Sequence, residues 1–348
     1  MAEQPLKLRF LLHPDLDRPI GGGKQVHRQV EQLVDLGWDA AVMAEKAGFR
    51  PGWFESKAPV LAYSDCRASG ELASSHTILV LPETCLGIDL GNYYDVDLRR
   101  QPRVVFNQNV YYSTMGAGTK SLEQLAAFYD APEVLQVLCV SEDSYSFLRD
   151  CWGISDRRLS RIINAVEPHF RPDINKQKCI NWLPRKNADH CQALLLCLRR
   201  GRLEHAVGWQ AEALDQLNHS QLAERLNAAS LFLSFGHPEG FGLPVAEAMA
   251  AGCYVVGYSG GGGQELFRHG ASESVAFGDW HGFRAAVQRA LLRFHQERQE
   301  LQLQLHRQAK AIRHLYSAEQ ERASIALAWE RIRQAHRGWL AQLDQIAP

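Results

Sequence analysis

At 348 residues the chain is long for one core and comfortable for two domains of ordinary size. Its apolar fraction of 46% and charged fraction of 22% are those of an ordinary globular protein. A formal net charge of −1 gives no global attraction to nucleic acid or anionic lipid, so nucleic acid is not expected as a partner. No apolar run is long enough to span a bilayer, and the first five residues lack the apolar run of a signal peptide. Eight scattered cysteines without a C-x-x-C pair fit free thiols in a reducing cytoplasm better than disulfides or a zinc site.

Short apolar runs alternate with helical patterns, which predicts an α/β chain with parallel sheets. Residues 8–12 read as the first buried strand, and His13 ends it. A glycine turn at Gly21, Gly22 and Gly23 leads into a helix with Val26, Val30, Leu33 and Val34 on one face, which Gly37 terminates. Further strands are expected at 78–81, 104–106 and 137–140, the last leading into Ser141, a helix cap. Residues 162–166 read as the last strand of this half, and 167–178, with Pro168 and Pro172, as a linker. A second alternation places strands at 179–183, 206–209, 231–235 and 254–257. From about Trp280 the chain turns helical, and Ile325, Trp329, Ile332, His336, Trp339 and Leu343 form one stripe that reads as packing surface.

The informative segment runs from Leu231 to Gly252: an apolar strand, a loop Glu239-Gly240-Phe241-Gly242, and a helix whose first turn holds Pro244. Such a junction presents backbone N–H groups and the positive end of a helix dipole, which suits a phosphate, and Gly240 and Gly242 let the backbone approach an anion closely. Dipole stabilisation alone explains a carboxylate such as Glu247 in the first turns of the helix. It does not explain Glu239 and both glycines. A second loop, Ser259 to Glu265 with four glycines, follows the next strand, and two such loops at successive strand ends favour a ligand crevice there.

Here the sequence resembles a family. Glu239 and Glu247, seven residues apart in E-G-F-G-L-P-x-x-E-A-M-A-x-G, resemble the E-x7-E motif of family 4 glycosyltransferases. Gly261-Gly262-x-x-Glu265 resembles the motif that follows it there, and Gly21–Gly23 the family's N-terminal glycine loop. Ser141-Glu142 and Asn164-Ala165-Val166 with Phe170 and Pro172 resemble further landmarks, in the same order over nearly the whole chain. The P-R-K run at 184–186 looks most like bacterial rhamnosyltransferase-type members.

The resemblance implies a GT-B fold: two Rossmann-like domains facing across a cleft, an acceptor-side domain at 1–167, a nucleotide-sugar domain at 168–318, and a helix at 319–348 crossing back to the first. It implies a hexosyltransferase (EC 2.4) moving sugar from a nucleoside diphosphate sugar to a glycan or lipid-linked acceptor, with retention and with no cofactor or obligatory metal. By the same analogy Glu247 meets the ribose hydroxyls and Glu239 the transferred sugar. The backbone of Gly240, Phe241, Gly242 and Leu243 holds sugar and diphosphate, with Gly22, Gly23, His237, Gly261, Gly262 and Glu265 completing the donor site. Arg185 and Lys186 stand for the family's cationic pair, although adjacent rather than spaced, with Arg199, Arg200 and Arg202 in reserve. Where many members have a histidine after the fourth strand, this chain has Asn107 and Asn109. Asparagine can hydrogen-bond a sugar but is no general base, which fits a front-face mechanism with the leaving phosphate taking the acceptor proton. The family's habit also points to the cytoplasm, at most at the inner membrane face. Acceptor choice is expected in the loops at 49–75 and 111–119, and base selection near Trp209.

Other classes fit less well. Gly23-Lys24-Gln25 lacks the Ser or Thr of a P-loop, no G-x-G-x-x-G follows the first strand, and the fourteen histidines assemble no metal-ligand pattern in sequence. A GT-B epimerase or hydrolase and a non-catalytic nucleotide-sugar module remain as rivals.

Overall fold

The computed structural model describes residues 5–12, 15–18, 20–86, 101–114 and 121–346. His13 and the loop residues 115–119 lie outside the described residues. The chain divides into two compact units, 1–163 with 321–348, and 164–320.

In the first unit, β1 (Lys7–Leu11), β2 (Asp39–Ala44), β3 (Val60–Ala62), β4 (Thr77–Pro82), β5 (Arg103–Phe106), β6 (Val134–Cys139) and β7 (Leu159–Arg161) form a parallel sheet in the order β3-β2-β1-β4-β5-β6-β7. Its first six strands follow the doubly wound order 3-2-1-4-5-6. β4 is nearly a continuous apolar run because helices cover both faces, while β1 and β5 each bury one arginine paired with a carboxylate, Arg9 with Glu71 and Arg103 with Glu133. The helix Gly21–Asp35 buries Val26, Val30 and Leu33 against this sheet's core. Its three glycines, expected as a turn before the helix, form its own first turn, with Ile20 as the cap residue. Gly37, at φ +87°, ends it where a side chain would be strained.

In the second unit, β8 (Gln177–Trp182), β9 (Gln210–Ala213), β10 (Ala229–Ser234), β11 (Tyr254–Tyr258) and β12 (Glu273–Val275) form a parallel sheet in the order β12-β11-β10-β8-β9. The helices Ala188–Arg200, His219–Ala228, Leu243–Ala250, Trp280–Gln296 and Arg298–Leu315 belong to it.

Three expectations need correction. The last strand of the first half is Leu159–Arg161; residues 162–166 instead carry the chain out of that sheet. The strand expected at 206–209 lies at Gln210–Ala213. Val207, the apolar residue behind that expectation, is 92% exposed, whereas β9 is a polar edge strand with no hydrophobic signature. Residues 167–176 are no slack linker. Phe170 is fully buried, the Arg171 and Asp173 N–H groups donate to Asn227, and Lys176 Nζ donates to the Leu226, Asn227 and Ala251 carbonyls.

The C-terminal stripe is packing surface within the first unit. Trp329 is fully buried, with ring centroids 5.7 Å from Phe10 and 5.9 Å from Trp38. Ile325, Ile332 and Trp339 are buried beside it, and His336 Nε2–H donates to the Ser75 carbonyl at 2.7 Å. Trp329→Ala should therefore lower stability by about 3–5 kcal/mol, read as a reduced midpoint in urea unfolding.

Candidate functional site

Counted along the chain, the second sheet has the order 2-1-3-4-5, and the direction of winding reverses between β8 and β10. Loops leaving those two strands turn to opposite faces, which opens a crevice at their carboxyl ends. The loops after β8, β10 and β11 carry the Pro184–Asn187 run, the Glu239 loop and the second glycine loop.

These loops are stitched by backbone. Glu239 N–H donates to the Gly260 carbonyl (2.8 Å), Gly262 N–H donates to the Glu239 carbonyl (3.0 Å), and Glu239 bridges Gly261 as an extra parallel rung. The pairing requires glycine. A Cβ on Gly262 would stand 1.9 Å from the Gly240 carbonyl oxygen, and one on Gly260 2.5 Å from Glu239 Cβ, where φ is also +71°. From the other side the Lys186 ammonium meets Glu239 Oε1 at 2.8 Å and donates to the Pro238 carbonyl at 2.6 Å. Asn187, at φ +50° as the helix-capping residue, donates its amide to the Phe235 and His237 carbonyls. Glu239 and Lys186 are each about a fifth exposed on their side chains, so both face solvent at the crevice.

Gly242, at φ +86°, turns this loop into the helix Leu243–Ala250 and supplies no side-chain cap. The first N–H groups of a helix have no intrahelical acceptor, so the crevice floor is an anion-seeking surface. Pro244 occupies the first turn, where its missing N–H costs nothing. Glu247, further along, is buried; its Oε1 lies 3.2 Å from His219 Nε2, and His219 Nδ1 lies 2.6 Å from Glu167 Oε2. His237 stacks on Phe277 (4.1 Å, 17°), and His190 stacks on the same ring (4.8 Å, 8°). Burial and then the Lys186 cation hold the His237 imidazole below its usual range, so it is neutral at pH 7.

The sequence-chosen residues thus divide. Glu239, Lys186, His237, Gly240, Phe241, Gly242, Leu243, Gly261 and Gly262 gather on adjoining loops of one sheet. Arg185, next to Lys186, is exposed. Arg199 and Arg200 end the helix Ala188–Arg200 and Arg202 lies just beyond it, so they stand a helix length, roughly 18 Å, from Lys186 and are no substitute for it. Glu265 turns inward: it is buried and accepts the Tyr316 hydroxyl at 2.8 Å. Trp209 precedes β9 and packs on Phe294, at the amino end of the sheet, away from the crevice. A cavity of about 890 Å³ opens at that amino end, lined by Lys178, Trp209, Arg298 and His306 among others; it is separate from the crevice.

In the first unit, Gly22 and Gly23 lie in the first helical turn, and Gln108 Nε2–H donates to the Gly22 carbonyl at 3.2 Å. Asn107 and Asn109 are tied into the fold of this unit. Asn107 is fully buried and its amide donates to Ser113 Oγ and the Tyr129 hydroxyl, while Asn109 Oδ1 caps the turn Val110–Tyr112 by accepting from Tyr111 N–H.

Residues 198–311 match the protein family described as glycosyl transferases group 1. Among solved structures, Anabaena Alr3699/HepE in complex with UDP-glucose superposes with a TM-score of 0.68 at 14% identity, over 93% of this chain and 99% of that one. Sucrose-phosphate synthase from Thermosynechococcus elongatus gives 0.67 at 14% identity, over 94% and 100%. The fold is GT-B. A further relative, an α-1,6-glucosyltransferase of Actinobacillus pleuropneumoniae serotype 7 (strain AP76), is 31% identical over 213 residues, and the match spans 60% of this chain and 60% of that protein's length.

Within this GT-B chain the sequence left several groups unnoticed. Asn187 carries no motif, because its role is to tie two loop carbonyls. Glu83, in the turn after β4, is fully enclosed and accepts the Gln108 N–H at 2.9 Å; burial pushes its carboxyl up to about 7 against those backbone donors. Glu167, His169 and His219, with His219 fifty residues beyond His169, bring ligand atoms within 4.8 Å of one another, a grouping that the dispersed histidines of the sequence do not reveal.

Two outcomes follow. Gly262→Ala must push the paired loops apart and should cost about 2 kcal/mol or more in urea unfolding. For Glu83 the folded carboxyl holds its proton to about pH 7 and the unfolded one only to about 4.5. Its contribution is therefore full on the acid side and falls as pH rises from 4.5 to 7, by up to roughly 3 kcal/mol. Stability profiles of the wild type and Glu83→Gln across that window should diverge accordingly.

Proposed function

We propose that the chain is a hexosyl-type glycosyltransferase (EC 2.4) that takes a sugar from a nucleoside diphosphate sugar and passes it, with retention, to a hydroxyl of a glycan or lipid-linked acceptor. UDP-glucose is the first donor to test and dTDP-rhamnose the second. The observation that carries the reading is the Glu239 carboxylate, fixed by two glycine loops and Lys186 at the mouth of a helix N-terminus, at the carboxyl ends of β8 and β10. The family match over residues 198–311 and the HepE structure with UDP-glucose support it.

In this reading the backbone of Gly240 to Leu243 and the start of the helix Leu243–Ala250 receive the diphosphate. The sugar C1–O bond breaks, its electrons pass to the leaving diphosphate oxygen, and Lys186 stabilises that charge. The acceptor oxygen attacks C1 from the same face and its proton goes to the leaving diphosphate, so no side-chain base and no metal ion is needed in the transfer step. Glu239 accepts hydrogen bonds from the sugar hydroxyls and Glu247, oriented by His219, from the ribose. None of the described helices is long and apolar enough to cross a membrane. We place the enzyme in the cytoplasm, with peripheral contact at most where the acceptor is lipid-linked.

Binding and kinetic measurements test this. UDP and UDP-glucose should raise the melting temperature of the wild type, and Glu247→Ala should weaken UDP by about tenfold in calorimetry; unchanged affinity refutes the assignment. Lys186→Ala should lower kcat by about a hundredfold with a smaller change in KM. Fast sugar release without acceptor would mark a hydrolase instead.

A further inference from the structure

We infer that Glu167, His169 and His219 form a Zn2+ site in the second unit, with Glu247 as the outer carboxylate that orients His219. The three ligand atoms lie within 4.8 Å of one another. His169 Nε2 is 3.4 Å and His219 Nδ1 2.6 Å from Glu167 Oε2. Ligands about 2.1 Å from a tetrahedral zinc stand roughly 3.4 Å apart, so one pair already has the spacing. The short pair opens by under 1 Å or so, and the exposed His169 ring swings to close the third side.

The frame around the cluster is rigid where a site needs it. His219 is the first residue of the helix His219–Ala228, whose start is fixed by reciprocal Asn218 and Gln221 capping bonds. The Phe170 N–H donates to the Glu167 carbonyl, a turn that presents Glu167 and His169 on one side. Phe170 is fully buried with its ring 5.0 Å from His219.

The second nitrogen of His219 completes the argument. A metal on Nδ1 leaves the proton on Nε2, which faces Glu247 Oε1 at 3.2 Å. Carboxylate, histidine and metal then stand in the order that fixes a ligand imidazole's tautomer and raises its basicity. Two imidazoles and one carboxylate leave a fourth position for water and favour zinc over the hard cations, which take oxygen ligands. The metal is outside the transfer step proposed above. Its influence on the ribose through Glu247 rests on that reading, but the site itself does not.

The test uses the full chain, stripped of metal and titrated with ZnCl2 by calorimetry and by competition with a chromogenic chelator, without nucleotide. The wild type should bind one equivalent. His169→Ala, an exposed position, should bind at least about tenfold more weakly at an unchanged metal-free melting temperature, with His306→Ala as the unaffected control. Cobalt(II) in place of zinc should give the visible bands of a four-coordinate N/O site without thiolate charge transfer. Absence of stoichiometric binding, equal affinity in His169→Ala, or a thiolate band would overturn the site. The first two would leave His219 as an ion-pair bridge between two carboxylates. UDP binding in the same preparations is an independent readout, so loss of one assignment does not remove the other.

Discussion

Backbone pairing between Glu239 and the turn at Gly260–Gly262 is the constraint on which the rest of the second unit's chemistry depends. It fixes a carboxylate on a loop, where side chains otherwise wander, by giving that loop the hydrogen bonds of a strand. Three glycines permit it for different reasons. Gly262 lacks the atom that would strike the Gly240 carbonyl, Gly260 makes room for the Glu239 side chain, and Gly242 takes a left-handed turn that aims the next helix into the crevice. The glycine content of the motif is therefore steric before it is a matter of flexibility.

The charges around this frame fall into two kinds. Lys186 and Glu239 are partly solvated, and a pair of that type adds at most about 1 kcal/mol to stability. Its value is placement: a cation and an anion held 2.8 Å apart at the mouth of a helix dipole. Glu247, His219 and Glu167 are of the other kind. They are largely enclosed, and removing one member of such a set strands its neighbours in a poor solvent at about 3–5 kcal/mol. Two members of this set, Glu167 and His219, are ligands of the zinc site inferred above.

The two sheets also differ in what they ask of their edges. Among the central strands, β4, β10 and β11 are largely apolar on both faces because helices cover them. β9 and β12 carry Gln, Glu and Ser because their outer sides meet water. This contrast explains why β9 and β12 leave little mark in the sequence, but not why β2, an apolar run between β1 and β3, stands outside the expected strands. Strands β1, β4, β5, β6, β8, β10 and β11 are legible as largely apolar runs, whereas β9 is displaced in favour of the loop residues 206–209, where Val207 is exposed and Trp209 packs on Phe294.

By itself the sequence determined the alternation of strands and helices, the Glu239 loop with its following helix, and the packing stripe around Trp329, because each is written in local periodicity or in residues close together in the chain. Tertiary structure alone decided that Lys186 and not the arginines at 199–202 meets Glu239, that Asn107 and Glu265 turn inward, and that Glu167, His169, His219 and Glu247 meet. Those outcomes depend on which strands lie side by side, and parallel pairing joins residues whose separation along the chain carries no mark of their contact.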